Sequence, residues 1–297
     1  MVLYKNISII GLGLIGSSIA RGIKEKNLCE NLVGFDSNPD FHIPITNLGL
    51  VDFLESDLVS AVKDADLVIL ATPVGAYSEV VKTIGSHLKN GTTLTDTGSI
   101  KEAVFKMLTP HVGDGIHIIP GHPVAGTEQS GPEAGFASLF HDRWAILTPL
   151  KNADPDAVET LSKFWKKLGS NVEIMDASHH DKVLAITSHV PHLIAYNIVG
   201  TARDLEEVTK SEVIKFSAGG FRDFTRIAAS NPTMWRDVFL NNKDAVLEML
   251  GRFSEDLTAL QRAIRWGDGD ALYDMFEKTR RIRKQIIDAG QEEDVAD

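Results

Sequence analysis

Two polar segments of the chain carry residue types that suit acid–base chemistry. Asp96–Lys101 contains Ser99, and Gly121–Glu128 contains His122 as its second residue. Histidine exchanges a proton near neutral pH, and a serine hydroxyl can orient both a histidine and a substrate oxygen. From residue type and spacing alone, a structural histidine at a strand end and a catalytic base are equally good interpretations of His122.

A glycine-rich segment near the start of the chain predicts a dinucleotide site. It reads Gly11-Leu12-Gly13-Leu14-Ile15-Gly16, between an apolar run and an amphipathic stretch. Asp36 follows about 20 residues later, as such a site requires. The glycines let the backbone approach a pyrophosphate, and the carboxylate of Asp36 would bind the adenosine ribose and repel a 2′-phosphate. NAD is therefore favoured over NADP, which Ser37 leaves possible.

The residues predicted to line this cofactor come from two strand ends. Gly11, Gly13, Leu14, Ile15 and Gly16 belong to the first turn, while Thr72 and Pro73 end a later strand and should form the other wall. The alternative interpretation of the motif is a glycine-rich strand–helix turn that binds no ligand.

The elements that must position these residues alternate between apolar runs and helical periodicity. Buried strands are predicted at Ile7–Ile10, Leu32–Phe35, Leu67–Ala71, Thr92–Thr95, His117–Ile119 and Trp144–Leu147. Helices are predicted at Ser17–Lys26, Gly75–Leu88 and Lys101–Leu108. This alternation indicates a mostly parallel sheet that is covered on both faces. Phe41–Leu50, which contains Pro44, is shorter than a full second crossover helix.

After Asn171–Met175 the pattern becomes helical only. Helical periodicity covers Asp181–Ala202, Leu205–Lys215, Asp244–Trp266 and Asp270–Ala289. We therefore predict an α/β protein with a Rossmann-type, NAD-binding domain over residues 1–176. An all-helical substrate and dimerisation domain is predicted over residues 177–297.

Composition narrows the class of protein. The net charge of −11 disfavours binding to nucleic acid or to an anionic membrane surface. The single cysteine, Cys29, fits a reducing cytoplasm. No signal peptide is expected, and no segment is expected to have the roughly 18 apolar residues of a membrane span.

Several other polar residues have competing interpretations. His189 and His192 would share a helix face, but no further ligand completes a metal site there. His179 and His180 are expected to begin a solvated helix end. Trp235 could wall a pocket or belong to the core.

The ordered motifs of the chain resemble those of the prephenate/arogenate dehydrogenases, and among them the bacterial cyclohexadienyl dehydrogenases of tyrosine biosynthesis. The resemblance covers nearly the whole chain and departs mainly around Phe41–Leu50. It is carried by Gly11–Ser18, Asp96–Lys101, Gly121–Phe136, Ser188–His192, Gly220–Arg226, Asn231–Asp237 and Leu260–Ile264.

The resemblance implies a role for each candidate residue in the oxidative decarboxylation of prephenate or arogenate. His122 would accept the proton of the ring hydroxyl, and Ser99 would orient this pair. Arg226 would grip a substrate carboxylate and Glu128 would pair with Arg226 in the absence of substrate, while His192 would be a substrate-side residue. The alternative interpretation, which is stronger for Arg222 than for Arg226, is a solvated face or an interdomain salt bridge.

The resemblance also implies a homodimer formed through the helical domain. The reaction it implies needs no metal, because aromatisation drives the decarboxylation. Neither an ACT-type nor a chorismate mutase segment is expected, so tyrosine would inhibit by competition in the active site. Two alternatives remain. A β-hydroxyacid dehydrogenase would use a helix lysine, of which the nearest is Lys182. A non-catalytic NAD-binding regulator would have no use for His122.

Overall fold

The computed structural model describes residues 2–209 and 215–288. Its strands are β1 (Tyr4–Ile10), β2 (Cys29–Phe35), β3 (Phe53–Leu54), β4 (Leu67–Leu70), β5 (Thr93–Asp96), β6 (His117–Ile118), β7 (Gly121–Pro123), β8 (Trp144–Leu147) and β9 (Asn171–Ile174). Its first six helices are α1 (Leu14–Lys26), α2 (Pro39–Asn47), α3 (Leu58–Val62), α4 (Tyr77–Ile84), α5 (Glu102–Leu108) and α6 (Pro155–Lys167). The remaining helices are α7 (Ala177–Leu184), α8 (Val190–Thr209), α9 (Gly219–Thr225), α10 (Pro232–Asn241), α11 (Lys243–Trp266) and α12 (Gly269–Asp288). The predicted helix Leu205–Lys215 lies partly outside the described residues.

Six strands form one parallel sheet in the order β3-β2-β1-β4-β5-β6. This is the strand order of a Rossmann-type sheet, in which ligands bind beyond the carboxyl ends of the strands. Ile7, Ile9 and Ile10 of β1 are fully buried, as expected of a central strand that is covered on both faces. The predicted fold class, a Rossmann-type α/β domain followed by helices, is confirmed.

A second, smaller sheet holds the candidate base. Its order is β7-β8-β9, with β7 antiparallel and β9 parallel to β8, and it pairs His122 with Ile146. The apolar pattern predicted β8 but not β7. Gly121 and Pro123 are poor strand residues, so the three residues of β7 carry no local strand signal.

The second crossover does contain a helix, α2, where the sequence left the structure open. Asn38 caps it by accepting the backbone N–H of Asp40, and Pro39 occupies its first position. Pro44 lies inside this nine-residue helix, which explains why the sequence pattern was too short for a full crossover helix. The following strand β3 has only two residues, too few for a recognisable alternation.

A continuous helical run follows β9. It consists of α7, a single π-helical turn at Ala185–His189, and α8. Such a turn inserts one residue into the helix and is common at functional sites. By its contacts the chain divides into two compact units, Met1–Val246 and Leu247–Asp297. The first unit contains every candidate site residue, and the division near residue 176 stays a prediction.

The run Ala177–Asp204 is long and apolar enough to be a candidate membrane span, with a hydropathy of 1.3. The expectation that no segment comes close to such a span is therefore corrected. The run also carries buried His180 and Asp181, and Asp181 accepts the backbone N–H groups of Lys101 and Glu102. Of its apolar window 28 % is buried, and these hydrogen bonds hold the start of the run against the N-terminus of α5.

We expect Gly16→Ala to destabilise the protein and Gly13→Ala to leave its stability nearly unchanged. A Cβ on Gly16 would lie 1.9 Å from the carbonyl oxygen of Gly11, whereas a Cβ on Gly13 would meet no atom within 4 Å. Overpacking of this kind costs about 1–3 kcal/mol, and each kcal/mol lowers the Tm of a protein of this size by roughly 2–4 °C. Thermal unfolding of both variants measures this, and equal Tm values would contradict it.

Candidate active site

The nucleotide end of the site is built by the first βα turn. Gly11 has φ +94°, and a Cβ there would lie 2.8 Å from the carbonyl carbon of Ala71. The first glycine is therefore required by backbone conformation and the third, Gly16, by close packing. Gly13 instead faces open space at the N-terminus of α1. That space is where the backbone of a dinucleotide site receives the pyrophosphate.

The N-terminus of α1 can bind an anion. Gly13 is its N-cap residue and offers no side-chain cap, and the first turn of this fully described helix has no acidic side chain. The backbone N–H groups there are free to bind a phosphate. The arrangement fits the pyrophosphate of NAD.

Asp36 and Thr72 supply the other polar groups of the cofactor site. The buried carboxylate of Asp36 accepts the N–H of Leu12 at 2.7 Å and the N–H of Asn38 at 2.9 Å. Each carboxylate oxygen can accept a further hydrogen bond, which suits the ribose hydroxyls. The Thr72 methyl group lies beside Gly11, and the buried Thr72 hydroxyl has no partner in the part of the chain described. Pro73 follows it at the surface.

A buried ion pair connects the two polar segments of the chemical site. Lys101 Nζ lies 2.5 Å from Asp96 Oδ2, and both side chains are fully buried. Lys101 Nζ also donates to the carbonyl oxygen of Gly121 at 2.6 Å, and the N–H of Gly121 donates to Asp96 Oδ1 at 3.1 Å. Burial raises the pKa of Asp96 and lowers that of Lys101, while their mutual attraction opposes both shifts. The pair fixes the start of β7 against the end of β5.

His122 stands at one end of a chain of three side chains. Its Nδ1 lies 2.8 Å from His180 Nε2, and His180 Nδ1 lies 2.8 Å from Asp181 Oδ1. The Asp181 carboxylate also accepts the N–H of Lys101 at 2.8 Å and the N–H of Glu102 at 2.9 Å. His122 Nε2 has no hydrogen-bond partner among the described residues. This nitrogen is therefore available to a substrate.

The surroundings of His122 keep its ring neutral. Burial lowers the pKa of His122 well below its ordinary value, and the neighbouring His180, Lys101 and His189 act in the same direction. Burial also lowers the pKa of His180, although the Asp181 carboxylate opposes that shift. A neutral imidazole can accept a proton, as a general base must.

Ser99 and His189 lie against each other beside this chain. Ser99 is half-buried, and its hydroxyl makes no hydrogen bond to a described residue, including His122. His189 is fully buried, lies near the Ser99 backbone, and has its Nδ1 3.1 Å from Asn242 Nδ2. Burial lowers the pKa of His189 to about 4. The predicted orienting role of Ser99 stays a prediction.

His192 is held by Trp235. The two rings stack with centroids 3.8 Å apart, and His192 Nδ1 donates to the Ser188 carbonyl oxygen at 2.8 Å. Burial lowers the pKa of His192, and nearby Arg226 lowers it further. Trp235 is buried and also contacts His189 edge-on, so it is both a core residue and a support for the two histidines. The part of the chain described contains no group of three or more residues that could hold a metal ion.

Arg226 and Glu128 form an ion pair at the surface. Arg226 Nη1 lies 3.5 Å from Glu128 Oε2, and the side chains are 58 % and 43 % exposed. An exposed pair of this kind contributes only about 0–1 kcal/mol, so a substrate carboxylate could replace Glu128 at small cost. Arg222 is exposed and makes no such pair with a described residue.

The expectation for His180 is wrong. His179 is exposed, as predicted, but His180 is fully buried and hydrogen-bonded at both ring nitrogens. The helix α7 buries His180, Asp181 and Leu184, because His180 and Asp181 are neighbours and Leu184 follows both by about one turn on the same face. That i, i+4 spacing of His180 and Leu184 was the available signal. Sequence reasoning also missed the buried roles of Asp181, Lys101 and Asn242.

Comparison with known proteins identifies two matching family regions. Residues 19–174 match "Prephenate dehydrogenase, nucleotide-binding domain", and residues 176–278 match "Prephenate dehydrogenase, dimerization domain". Together they span most of the chain.

Relatives that align over most of their own length support these matches. Cyclohexadienyl dehydrogenase of Zymomonas mobilis is 41 % identical over 95 % of this chain and 96 % of its own. Prephenate dehydrogenase of Bacillus subtilis is 33 % identical over 93 % of this chain and 75 % of its own. The crystal structure of prephenate dehydrogenase from A. aeolicus with hydroxyphenyl propionate and NAD+ has a TM-score of 0.88 and 32 % identity, covering 95 % of this chain and 98 % of that one.

The buried histidines predict a loss of stability in acid. A histidine whose pKa is lowered by folding takes up its proton in the unfolded chain first, so stability falls as pH falls below 6.5. For His189, with a folded pKa of about 4, the loss between pH 7 and pH 5 amounts to about 2 kcal/mol.

The measurement is the free energy of urea unfolding at both pH values for the parent protein, His189→Asn and the exposed control His179→Asn. We expect a smaller difference between pH 7 and pH 5 in His189→Asn than in the other two proteins. An equal difference in all three would show that His189 does not titrate abnormally.

Proposed function

This chain belongs to the prephenate dehydrogenase family, and we propose that His122 is the base with which it oxidises and decarboxylates its cyclohexadienyl substrate. The enzyme is an NAD-dependent oxidoreductase of tyrosine biosynthesis, which converts prephenate to 4-hydroxyphenylpyruvate, arogenate to tyrosine, or both. NAD, which the Gly11–Gly16 turn and Asp36 would hold, would supply the acceptor for the hydride of the ring carbon that bears the hydroxyl. Loss of carbon dioxide then completes an aromatic ring.

The observation that carries the proposal is the buried, neutral His122 with a free Nε2. The ring hydroxyl must lose its proton as the hydride leaves, and Nε2 is the nitrogen able to take it. A positioned general base contributes typically 10²–10⁴-fold to such a step. Ser99, in the adjacent loop, would orient the hydroxyl and the imidazole.

Substrate carboxylates require cations, and Arg226 is the proposed ligand. Its guanidinium presents two parallel donors and stays charged, which suits bidentate binding of a carboxylate. Glu128 pairs with Arg226 in the absence of substrate and would release it when substrate binds. His192, stacked on Trp235 next to Arg226, would contact the side chain of the substrate.

The proposal includes a homodimeric assembly and inhibition by tyrosine. The dimerization-domain match supports a homodimer, and large apolar side chains stay exposed in the unit that begins at Leu247, including Ile264, Trp266, Tyr273 and Phe276. We place the enzyme in the cytoplasm, with no membrane or nucleic-acid partner. Tyrosine would inhibit it by competing with substrate.

The two alternatives account less well for the site. A β-hydroxyacid dehydrogenase would need a lysine base on the first helix of the helical half, and that position is occupied by the segment around His189 and His192. A non-catalytic regulator would not need a neutral histidine with a free ring nitrogen beside the cofactor site.

The test is NADH or NADPH formation with prephenate and with arogenate, each combined with NAD and NADP. We expect turnover of at least one substrate, with NAD preferred because Asp36 repels a 2′-phosphate. Absence of turnover in all four combinations, from folded protein that binds NAD, would refute the proposal.

His122→Asn is the variant for the same assay. We expect kcat to fall by about 10²–10⁴-fold, since the amide cannot accept the hydroxyl proton, while NAD affinity stays unchanged. Unaltered kcat in this variant would remove His122 from the proposed role.

A further inference from the structure

His180 and Asp181 lie on the Nδ1 side of His122, and both are buried. A histidine and a carboxylate in the interior need a compensating partner, because an unpaired buried charge is costly. Here the partners form a single line of hydrogen bonds, which runs from the backbone at the N-terminus of α5 through Asp181 and His180 to His122. The family match does not explain this line.

The donors and acceptors of His122, His180 and Asp181 determine which ring nitrogen of each histidine carries a proton. Asp181 accepts backbone N–H groups at both oxygens, from Lys101 and Glu102, so it is an ionised acceptor. His180 Nδ1, 2.8 Å from Asp181 Oδ1, must therefore donate. A neutral His180 then has an unprotonated Nε2, which can only accept. His122 Nδ1, 2.8 Å away, must be the donor.

We propose that His180 and Asp181 are positioning residues that hold His122 in the tautomer with the proton on Nδ1, and so keep Nε2 free for the substrate hydroxyl. This inference rests on the proposed role of His122. The opposite tautomer would place a hydrogen on Nε2 and would block proton transfer.

The same line can carry the charge that the reaction creates. When Nε2 takes the hydroxyl proton, His122 becomes an imidazolium. Transfer of its Nδ1 proton to His180 Nε2 makes His122 neutral again and places the positive charge on His180, 2.8 Å from the Asp181 carboxylate. No other group is needed, and the proton count is conserved.

Asp181→Asn tests the tautomer. In the orientation that keeps the Glu102 N–H on its oxygen, the new amide gives up the bond to the Lys101 N–H and donates to His180 Nδ1. This donation would put the His180 proton on Nε2 and turn His122 into an acceptor at Nδ1. The proton of His122 would then lie on Nε2. We expect kcat to fall by at least about 10²-fold, with little change in KM for NAD.

His180→Gln and His180→Leu separate this role from simple packing. Glutamine can accept from His122 and donate to Asp181, so it preserves the tautomer, whereas leucine can do neither. We expect Gln to retain at least tenfold more kcat than Leu, with His179→Gln as the exposed control at parent activity. Equal kcat in the Gln and Leu variants would overturn the proposal.

The decisive readout does not depend on the substrate. In protein labelled with 15N at its histidines, the ring nitrogen shifts report which nitrogen of His122 is protonated. We expect Nδ1 in the parent and in His180→Gln, and Nε2 in Asp181→Asn. A proton on Nε2 of His122 in the parent enzyme would overturn the inference even if every dehydrogenase assay succeeds. If the assays with all substrates fail while Nδ1 is protonated, only the proposed function is refuted.

Discussion

The buried Lys101 is the constraint on which the site depends. Its ammonium group, paired with Asp96, ties the end of β5 to the Gly121 carbonyl at the start of β7. Its backbone N–H donates to Asp181 on α7. One residue thus fixes the parallel sheet, the small sheet and the helical run relative to each other within the first compact unit. Removing the ammonium alone would leave Asp96 buried and unpaired, which typically costs about 3–5 kcal/mol.

This constraint has an electrostatic consequence for His122. A cation fixed in the interior disfavours a second positive charge nearby, and burial disfavours it further, so the imidazole rests in its neutral form. Among the residues that the structure describes, the anion hydrogen-bonded to the His122–His180 pair is Asp181, which contacts His180. A positive charge on His122 is therefore unfavourable before the reaction. Once His122 has taken up the hydroxyl proton, the positive charge can move to His180, where the Asp181 carboxylate compensates it.

Local sequence signals predicted the residues of the nucleotide site. The positions of the residues around His122 depend instead on contacts between distant parts of the sequence. The glycine turn, Asp36 and the apolar strands are encoded over about 35 consecutive residues, so their positions follow from spacing. His180 meets His122 across 58 positions of sequence, and its burial depends on which face of α7 packs inward. The strand β7 is too short to show alternation. The pairing of Arg226 with Glu128 followed from the family resemblance, and not from any pattern in the residues themselves.

The most direct test of His122 as the base is a crystal structure of the enzyme with NAD and hydroxyphenylpropionate, whose phenol oxygen stands for the substrate ring hydroxyl. The account predicts this oxygen within hydrogen-bond distance of His122 Nε2, about 2.6–3.2 Å, and the ligand carboxylate on Arg226 in place of Glu128. A phenol oxygen bound away from His122, or a His122 ring rotated so that Nε2 faces His180, would contradict it.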